Sequence, residues 1–151
     1  MEHVVKKQDI SRRGALLAVA GAVGLSLWWL NAPAGGGNII SAEAAFRAQS
    51  MGDMTIVDIR TPDEWAQSGS PRDAWQIDMQ RPDFLAAFYK ALNEDRSTPV
   101  AIICATGVRS KRLTMLLEQA GFTQVFDVSE GMFGSSAGAG WLASKLPVDR
   151  S

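Results

Sequence analysis

Val100-Ala101-Ile102-Ile103-Cys104-Ala105-Thr106-Gly107-Val108-Arg109-Ser110 is the stretch that decides the fold. An apolar run rich in β-branched residues ends at Cys104, the only cysteine of the 151-residue chain. Four residues separate this cysteine from Arg109, and leucines then recur at helical spacing over residues 111–120. The stretch therefore predicts a buried strand, a short loop and a helix, with a thiol where the strand meets the loop.

This placement has consequences for the thiol. Amides at a helix N-terminus lack partners inside the helix and favour negative charge. Such a position, beside a cation such as Arg109, favours the thiolate, which is the reactive form of cysteine. Gly107 lets successive amides face one point. We expect an exposed sulfur that main-chain N–H groups hold ionised; the alternative, common for a lone cysteine, is a buried structural residue.

Residues 104–110 resemble the active-site loop of the rhodanese-like sulfurtransferases. Residues 55–60, Thr-Ile-Val-Asp-Ile-Arg, with the following Glu64-Trp65, are similar to the family's Val-Asp-Val-Arg segment and its Glu-Trp or Glu-Phe pair. The tail, residues 129–148, is similar to the family's closing pattern of a Glu-Gly pair, a Trp and Leu-Pro. The resemblance covers about residues 38–148, but residues 69–74 depart from the family's Gly-His-Ile-Pro-Gly-Ala.

The resemblance implies a three-layer α/β domain over residues 38–148, with a mostly parallel five-stranded sheet and helices on both faces. The alternation of strand and helix patterns predicts the same class. The predicted strands are residues 38–40, 55–60, 75–78, 100–104 and 124–128. The predicted helices are residues 42–49, capped by Ser41, a helix from Pro62, capped by Thr61, then residues 82–93 and 111–120, the last ended by Gly121.

The resemblance also implies sulfur transfer through a Cys104 persulfide, from a small anionic donor such as thiosulfate to a thiol or cyanide acceptor. No cofactor or metal is required, and a protein sulfur acceptor is a further candidate partner. The backbone N–H groups that would hold the persulfide are those of Ala105, Thr106, Gly107, Val108 and Arg109. Because Ala105 replaces an arginine common in the family, the donor is left open.

Three further residues are expected to support the loop. Ser110 is positioned to cap the helix and to bond within the loop. Asp58 and Arg60 end a neighbouring strand, at the sheet edge where open α/β sheets place their sites. The alternative for this pair is a surface ion pair of little energetic worth.

Two other functions stay open. Family members that only carry sulfur or bind a partner exist, although they usually lack the cysteine. A cysteine phosphatase or arsenate reductase is disfavoured, because phosphatase loops hold five residues between Cys and Arg and usually follow a His, whereas Ile103 precedes Cys104. His3 is the only histidine, so residues 38–148 cannot form a Cys/His or Ser/His/Asp site or a histidine zinc site.

The first 34 residues have the composition of a signal peptide. A basic segment precedes the uncharged, apolar residues 14–30, and Ala32-Pro33-Ala34 matches a cleavage site. Residues 11–17 resemble a twin-arginine export motif. The alternative is an uncleaved anchor, in which residues 14–30 make the only membrane contact. Both predict a periplasmic domain after the glycine linker 35–37, and the net charge of −1 does not suggest a nucleic-acid surface.

Overall fold

The computed structural model describes residues 38–150. Its strands are β1 (Thr55–Asp58), β2 (Ser70–Pro71), β3 (Trp75–Gln76), β4 (Val100–Ile103), β5 (Val125–Asp127) and β6 (Val148–Asp149). Four of them form a parallel sheet in the spatial order β3-β1-β4-β5, with Val57 of β1 opposite Ile102 of β4. Because β1 and β4 are the adjacent central strands, the residues that follow them meet at one edge of the sheet.

Both faces of this sheet are buried. Val57 and Ile102 belong to one apolar cluster with Phe88 and other helical side chains. Ile56 and Ile103 alternate with them and are also fully buried, so they lie on the opposite face. A strand buried on both sides is typical of a parallel sheet covered by helices above and below. The predicted α/β class with a mostly parallel sheet is therefore confirmed.

The helices are α1 (Ala42–Ser50), α2 (Pro62–Ser68), α3 (Phe84–Ala91), α4 (Val108–Gln119) and α5 (Gly140–Ala143). Local capping explains where several of them begin and end. The Ser41 side chain accepts the Ala44 amide, and Thr61 forms a capping box with Glu64. Gly121, with φ of 90°, follows α4 in the left-handed conformation. These three predicted boundaries are confirmed.

The predicted sheet has one strand too many. Residues 38–40 contribute a single parallel bridge, Ile39 to Asp127, beside β5. The amide of Asp127 donates to the carbonyl oxygen of Asn38 at 2.7 Å, and Ile40 donates back to Asp127 at 3.0 Å. Pairing stops there because Ser41 already caps α1.

Residues 69–74, where the chain departs from the family pattern, are tied to the end of the domain. Strand β2 pairs antiparallel with β6, which places Pro71 opposite Val148. This pairing joins positions far apart in the sequence, and the local pattern gave no sign of it.

No helix within residues 38–150 is long and apolar enough to cross a membrane. The predicted signal peptide or anchor, residues 1–34, and the glycine linker, residues 35–37, lie outside the described residues.

Candidate functional site

Cys104 lies between the end of β4 and the start of α4. Strand β4 ends at Ile103, and the 12-residue helix begins at Val108. The sequence predicted a helix start at residue 111, which is three residues too late. The reason is Gly107, whose left-handed backbone (φ 84°) makes it the N-cap without any side-chain hydrogen bond. Arg109 and Ser110 consequently lie in the first turn of α4 rather than in the loop.

The sulfur itself is buried. Cys104 is 1% exposed and belongs to the apolar cluster that includes Ile102 and Leu113. The prediction of an exposed sulfur is therefore wrong, because Cys104 continues the alternation of β4 and points to the same face as Ile102. The amide of Ser110 donates to the sulfur at 3.4 Å, and the thiol donates to the Ser110 hydroxyl at 3.5 Å. One main-chain amide thus contacts the sulfur.

The main-chain amides that come just before Ser110 have no acceptor in the described part of the chain. Within residues 38–150, the N–H groups of residues 105–109 donate to no protein acceptor. They belong to the loop and to the first turn of α4, where the helix dipole adds partial positive charge. The side chains of Thr106 and Val108 are exposed, so the loop has one side toward solvent. The arrangement can bind an anionic group beside the sulfur.

A second loop, after β5, fixes the path of the first. Met132 donates its amide to the carbonyl oxygen of Cys104, and Phe133 donates to that of Ala105, both at 2.9 Å. A Cβ at Gly107 would collide with the carbonyl oxygen of Ser129. With φ of 84° as well, that position accepts only glycine.

Glu130 holds the second loop in place. Its carboxylate is largely buried and accepts the amide of Ala42 at 3.3 Å and the amide of Gly140 at 3.0 Å. These are the first residues of α1 and α5, so one carboxylate takes up unpaired N-terminal amides of two helices.

Arg109 is engaged by an acidic partner. It donates two hydrogen bonds to Glu64, at 2.9 Å and 2.5 Å, and both side chains are about 30% exposed. Hydrogen bonding from Arg109 is the main reason that the pKa of Glu64 is lowered from 4.5 to about 2; the amide and hydroxyl of Thr61 lower it further. The same contact raises the pKa of Arg109. The guanidinium of Arg109, the cation expected beside the thiolate, is therefore already paired with a carboxylate.

Asp58 and Arg60 form a buried ion pair, and the surface alternative is wrong. Both side chains are 0% exposed, with Nη2 and Oδ2 2.7 Å apart. Arg60 also donates to the Ser68 hydroxyl and the Gly69 carbonyl, and the Ser70 hydroxyl donates to Asp58. The pair makes no hydrogen bond to residues 104–109 in the described part of the chain. Its link to them is indirect, since Arg60 donates to the carbonyl oxygen of Glu64 at 3.3 Å.

Ser110 is the third residue of α4, and its hydroxyl donates to the carbonyl oxygen of Gly107 at 3.1 Å. It therefore bonds within the loop as predicted, but it does not cap the helix. Sequence reasoning missed the pairing of Glu64 with Arg109, which spans 45 positions, and the role of Glu130. Within residues 38–150, no three His, Cys, Asp or Glu side chains come close enough to hold a metal ion.

Comparisons with known proteins agree with the fold described above. The family model for the Rhodanese-like domain matches residues 41–137. Thiosulfate sulfurtransferase GlpE of Actinobacillus pleuropneumoniae serotype 3 is 31% identical over 96 residues, which cover 63% of this chain and 77% of that protein. An uncharacterised protein of Rickettsia rickettsii is 27% identical over 119 residues, covering 73% of this chain and 94% of its own. The polysulfide-sulfur transferase homodimer of Wolinella succinogenes has a similar fold, with a TM-score of 0.57, 23% identity and 95% of each chain covered.

Proposed function

The chain belongs to the rhodanese-like domain family, and we propose that it is a sulfurtransferase that carries sulfur on Cys104. The observation that carries this proposal is the position of the sulfur beside the N-terminus of α4, next to the amides of residues 105–109, which have no acceptor in the part of the chain that the structure describes. The relatives named as sulfur transferases support the reaction class.

The proposed reaction has two halves. The Cys104 thiolate attacks the outer sulfur of an anionic donor such as thiosulfate; a new S–S bond forms, the donor's own S–S bond breaks, and sulfite leaves with the electron pair. The outer sulfur of the persulfide carries the negative charge and lies against the unpaired amides. A thiolate or cyanide acceptor then attacks this sulfur, and the Cys104 thiolate is regenerated. No cofactor takes part.

The surroundings of the site suggest how the donor arrives. Because Glu64 pairs with Arg109, the exposed Lys111 and Arg112 supply attraction for an anion at long range. Cys104 is 1% exposed, so we propose that residues 105–109 move to admit the donor.

Mass spectrometry of the intact full chain after incubation with thiosulfate tests the proposal. We expect a mass gain of one sulfur atom, which cyanide removes with release of thiocyanate. Cys104→Ser, a change of one atom, is expected to show no gain and no thiocyanate. A gain that Cys104→Ser retains, or a wild-type chain that takes sulfur from neither thiosulfate nor polysulfide, contradicts the proposal.

A sulfur carrier without turnover is the second candidate, and the burial of the sulfur favours it, because small acceptors have little access. A carrier gains sulfur but releases it only to a protein acceptor. Multiple turnovers with cyanide at substoichiometric protein distinguish the enzyme from the carrier.

We further propose that the domain acts in the periplasm, exported by or anchored through residues 1–34. The support is the sequence pattern of that segment. Sizing the protein from fractionated cells tests both parts, since cleavage after Ala34 shortens the chain and an anchor retains it in the membrane fraction.

A further inference from the structure

A cleft with a volume of about 560 Å³ runs along α4. Residues 104–109 do not line it. Its walls are formed by Ile39, by Asp127 of β5 and by successive turns of α4, including Lys111, Thr114 and Glu118. The volume is within the range of small-molecule sites, which are mostly apolar with a few convergent polar groups.

Two polar groups in this cleft are buried without partners. Asp127 is 2% exposed, and neither of its carboxylate oxygens has a hydrogen-bond partner within residues 38–150. The same is true of the Thr114 hydroxyl, which is 1% exposed. The Ser110 hydroxyl lies near Asp127, where it partly offsets the rise in pKa that burial causes, but the hydroxyl proton is donated to the carbonyl oxygen of Gly107 at 3.1 Å. Buried polar atoms are nearly always paired, so these oxygens mark places for a donor that residues 38–150 do not supply.

The charges and the apolar wall define the chemistry of that donor. Asp127 and Glu118 bring two carboxyl groups to the cleft, whereas Lys111 is its one basic lining residue among the described residues. Ile39 and Met115 add apolar surface and are each 50% exposed. Burial raises the pKa of Asp127, and Lys111 and Ser110 oppose that shift only in part. A cationic donor beside the carboxylate offsets this desolvation.

We infer that the cleft binds a small apolar molecule bearing an ammonium group, which donates hydrogen bonds to Asp127 and Thr114. A carboxylate ligand meets two acidic side chains, and a neutral apolar ligand leaves Asp127 unpaired. The site is distinct from Cys104, so it stands whether or not the domain transfers sulfur.

The test is an NMR titration of the ¹⁵N-labelled full chain carrying Cys104→Ser. This substitution prevents persulfide formation during the titration. The probes are n-butylammonium, n-butanol and butyrate, which share one alkyl chain. We expect butylammonium to shift the amides of residues 114–119 and 127 saturably, butanol to bind more weakly and butyrate not at all. Asp127→Asn should weaken butylammonium binding about tenfold or more, the usual effect of losing a charged hydrogen bond, and weaken butanol binding by less.

Glu94→Gln, an exposed acid outside the cleft, is the matched control and should bind as the parent chain does. The inference is overturned if no shift saturates, if butanol binds as tightly as butylammonium, or if Asp127→Asn leaves the affinity unchanged. If the Asp127→Asn chain does not fold, the Thr114→Val chain provides the test of butylammonium binding. It preserves the side-chain shape and should weaken butylammonium about threefold through the lost hydroxyl, whereas equal affinity contradicts the site.

Discussion

Neighbouring strands β1 and β4 end in two buried polar regions of opposite character. At the end of β1, Asp58 and Arg60 form a closed network in which carboxylate and guanidinium bond each other and residues 68–70. After β4, Cys104 is followed by residues 105–109, whose amides have no acceptor among residues 38–150. The comparison teaches that saturated polar groups give rigidity, while donors left unpaired beside a nucleophile give a site for an anion.

Breaking the closed network should have the largest effect. Arg60→Met leaves Asp58 as an uncompensated buried charge, so we expect a loss of about 3–5 kcal/mol in the free energy of unfolding. Urea denaturation measures it. The matched control is Arg81→Met, because Arg81 and Asp83 are also two positions apart but 44% and 60% exposed. We expect little change there, and equal losses in the two variants would mean that burial is not what makes the Asp58 pair important.

Adding a side chain at Gly107, in the loop that follows Cys104, should have an intermediate effect on stability. Gly107→Ala adds a Cβ against the backbone of Ser129 at a left-handed residue, and we expect a loss of at least about 2 kcal/mol together with less persulfide. Gly52→Ala is the control, since Gly52 has φ of 78° but no atom within 4 Å of the added Cβ. Its loss should be about 1 kcal/mol, with full persulfide formation. If urea denaturation gives the same loss in free energy of unfolding for both variants, the close approach of Ser129 to Gly107 does not contribute to stability.

Removing the contact between the two regions should have the smallest effect on the free energy of unfolding. Glu64 joins Arg60, through its carbonyl, to Arg109, through its carboxylate. Because its folded pKa of about 2 lies below its ordinary 4.5, the pair stabilises the fold above pH 4.5, and this contribution is lost as the pH falls toward 2. After allowance for solvent screening, Glu64→Gln should lower the free energy of unfolding by about 1 kcal/mol at pH 7.

Urea midpoints at pH 7 and near pH 2 measure this contribution. The Glu64→Gln chain should differ from wild type at the higher pH and match it at the lower one. Asp63→Asn, an exposed first-turn acid with no Arg109 contact, serves as the control. A difference that persists at the lower pH would contradict the assignment to the ion pair.

Features set by neighbouring residues could be predicted from the sequence. Ser41 and Thr61-Pro62 mark helix starts because their side chains and ring geometry act within four residues. The apolar run of residues 100–103 predicts a strand buried on both faces, and β4 is one. Gly107 shows the limit of local reasoning, since a helix can begin at a left-handed glycine with no capping side chain.

Features set by distant residues could not be predicted. The exposure of the sulfur depends on which face of β4 Cys104 continues, and the pairing of Arg109 depends on the orientation of α2. Likewise, the pairing of β2 with β6 joins residues 70–71 to 148–149. Each is decided by packing of the whole domain, for which a local sequence pattern carries no signal.

The Glu130 carboxylate has a consequence for how the domain assembles. By accepting amides from Ala42 and Gly140, it joins the beginning of the domain to its end. During synthesis, Glu130 cannot accept both amides until residue 140 has emerged, and the hydrogen bonds from Met132 and Phe133 to the carbonyl oxygens of Cys104 and Ala105 cannot form until residue 133 has emerged. A chain that stops before residue 132 therefore contains Cys104 and Ser110 without the second loop that holds the backbone of residues 104 and 105.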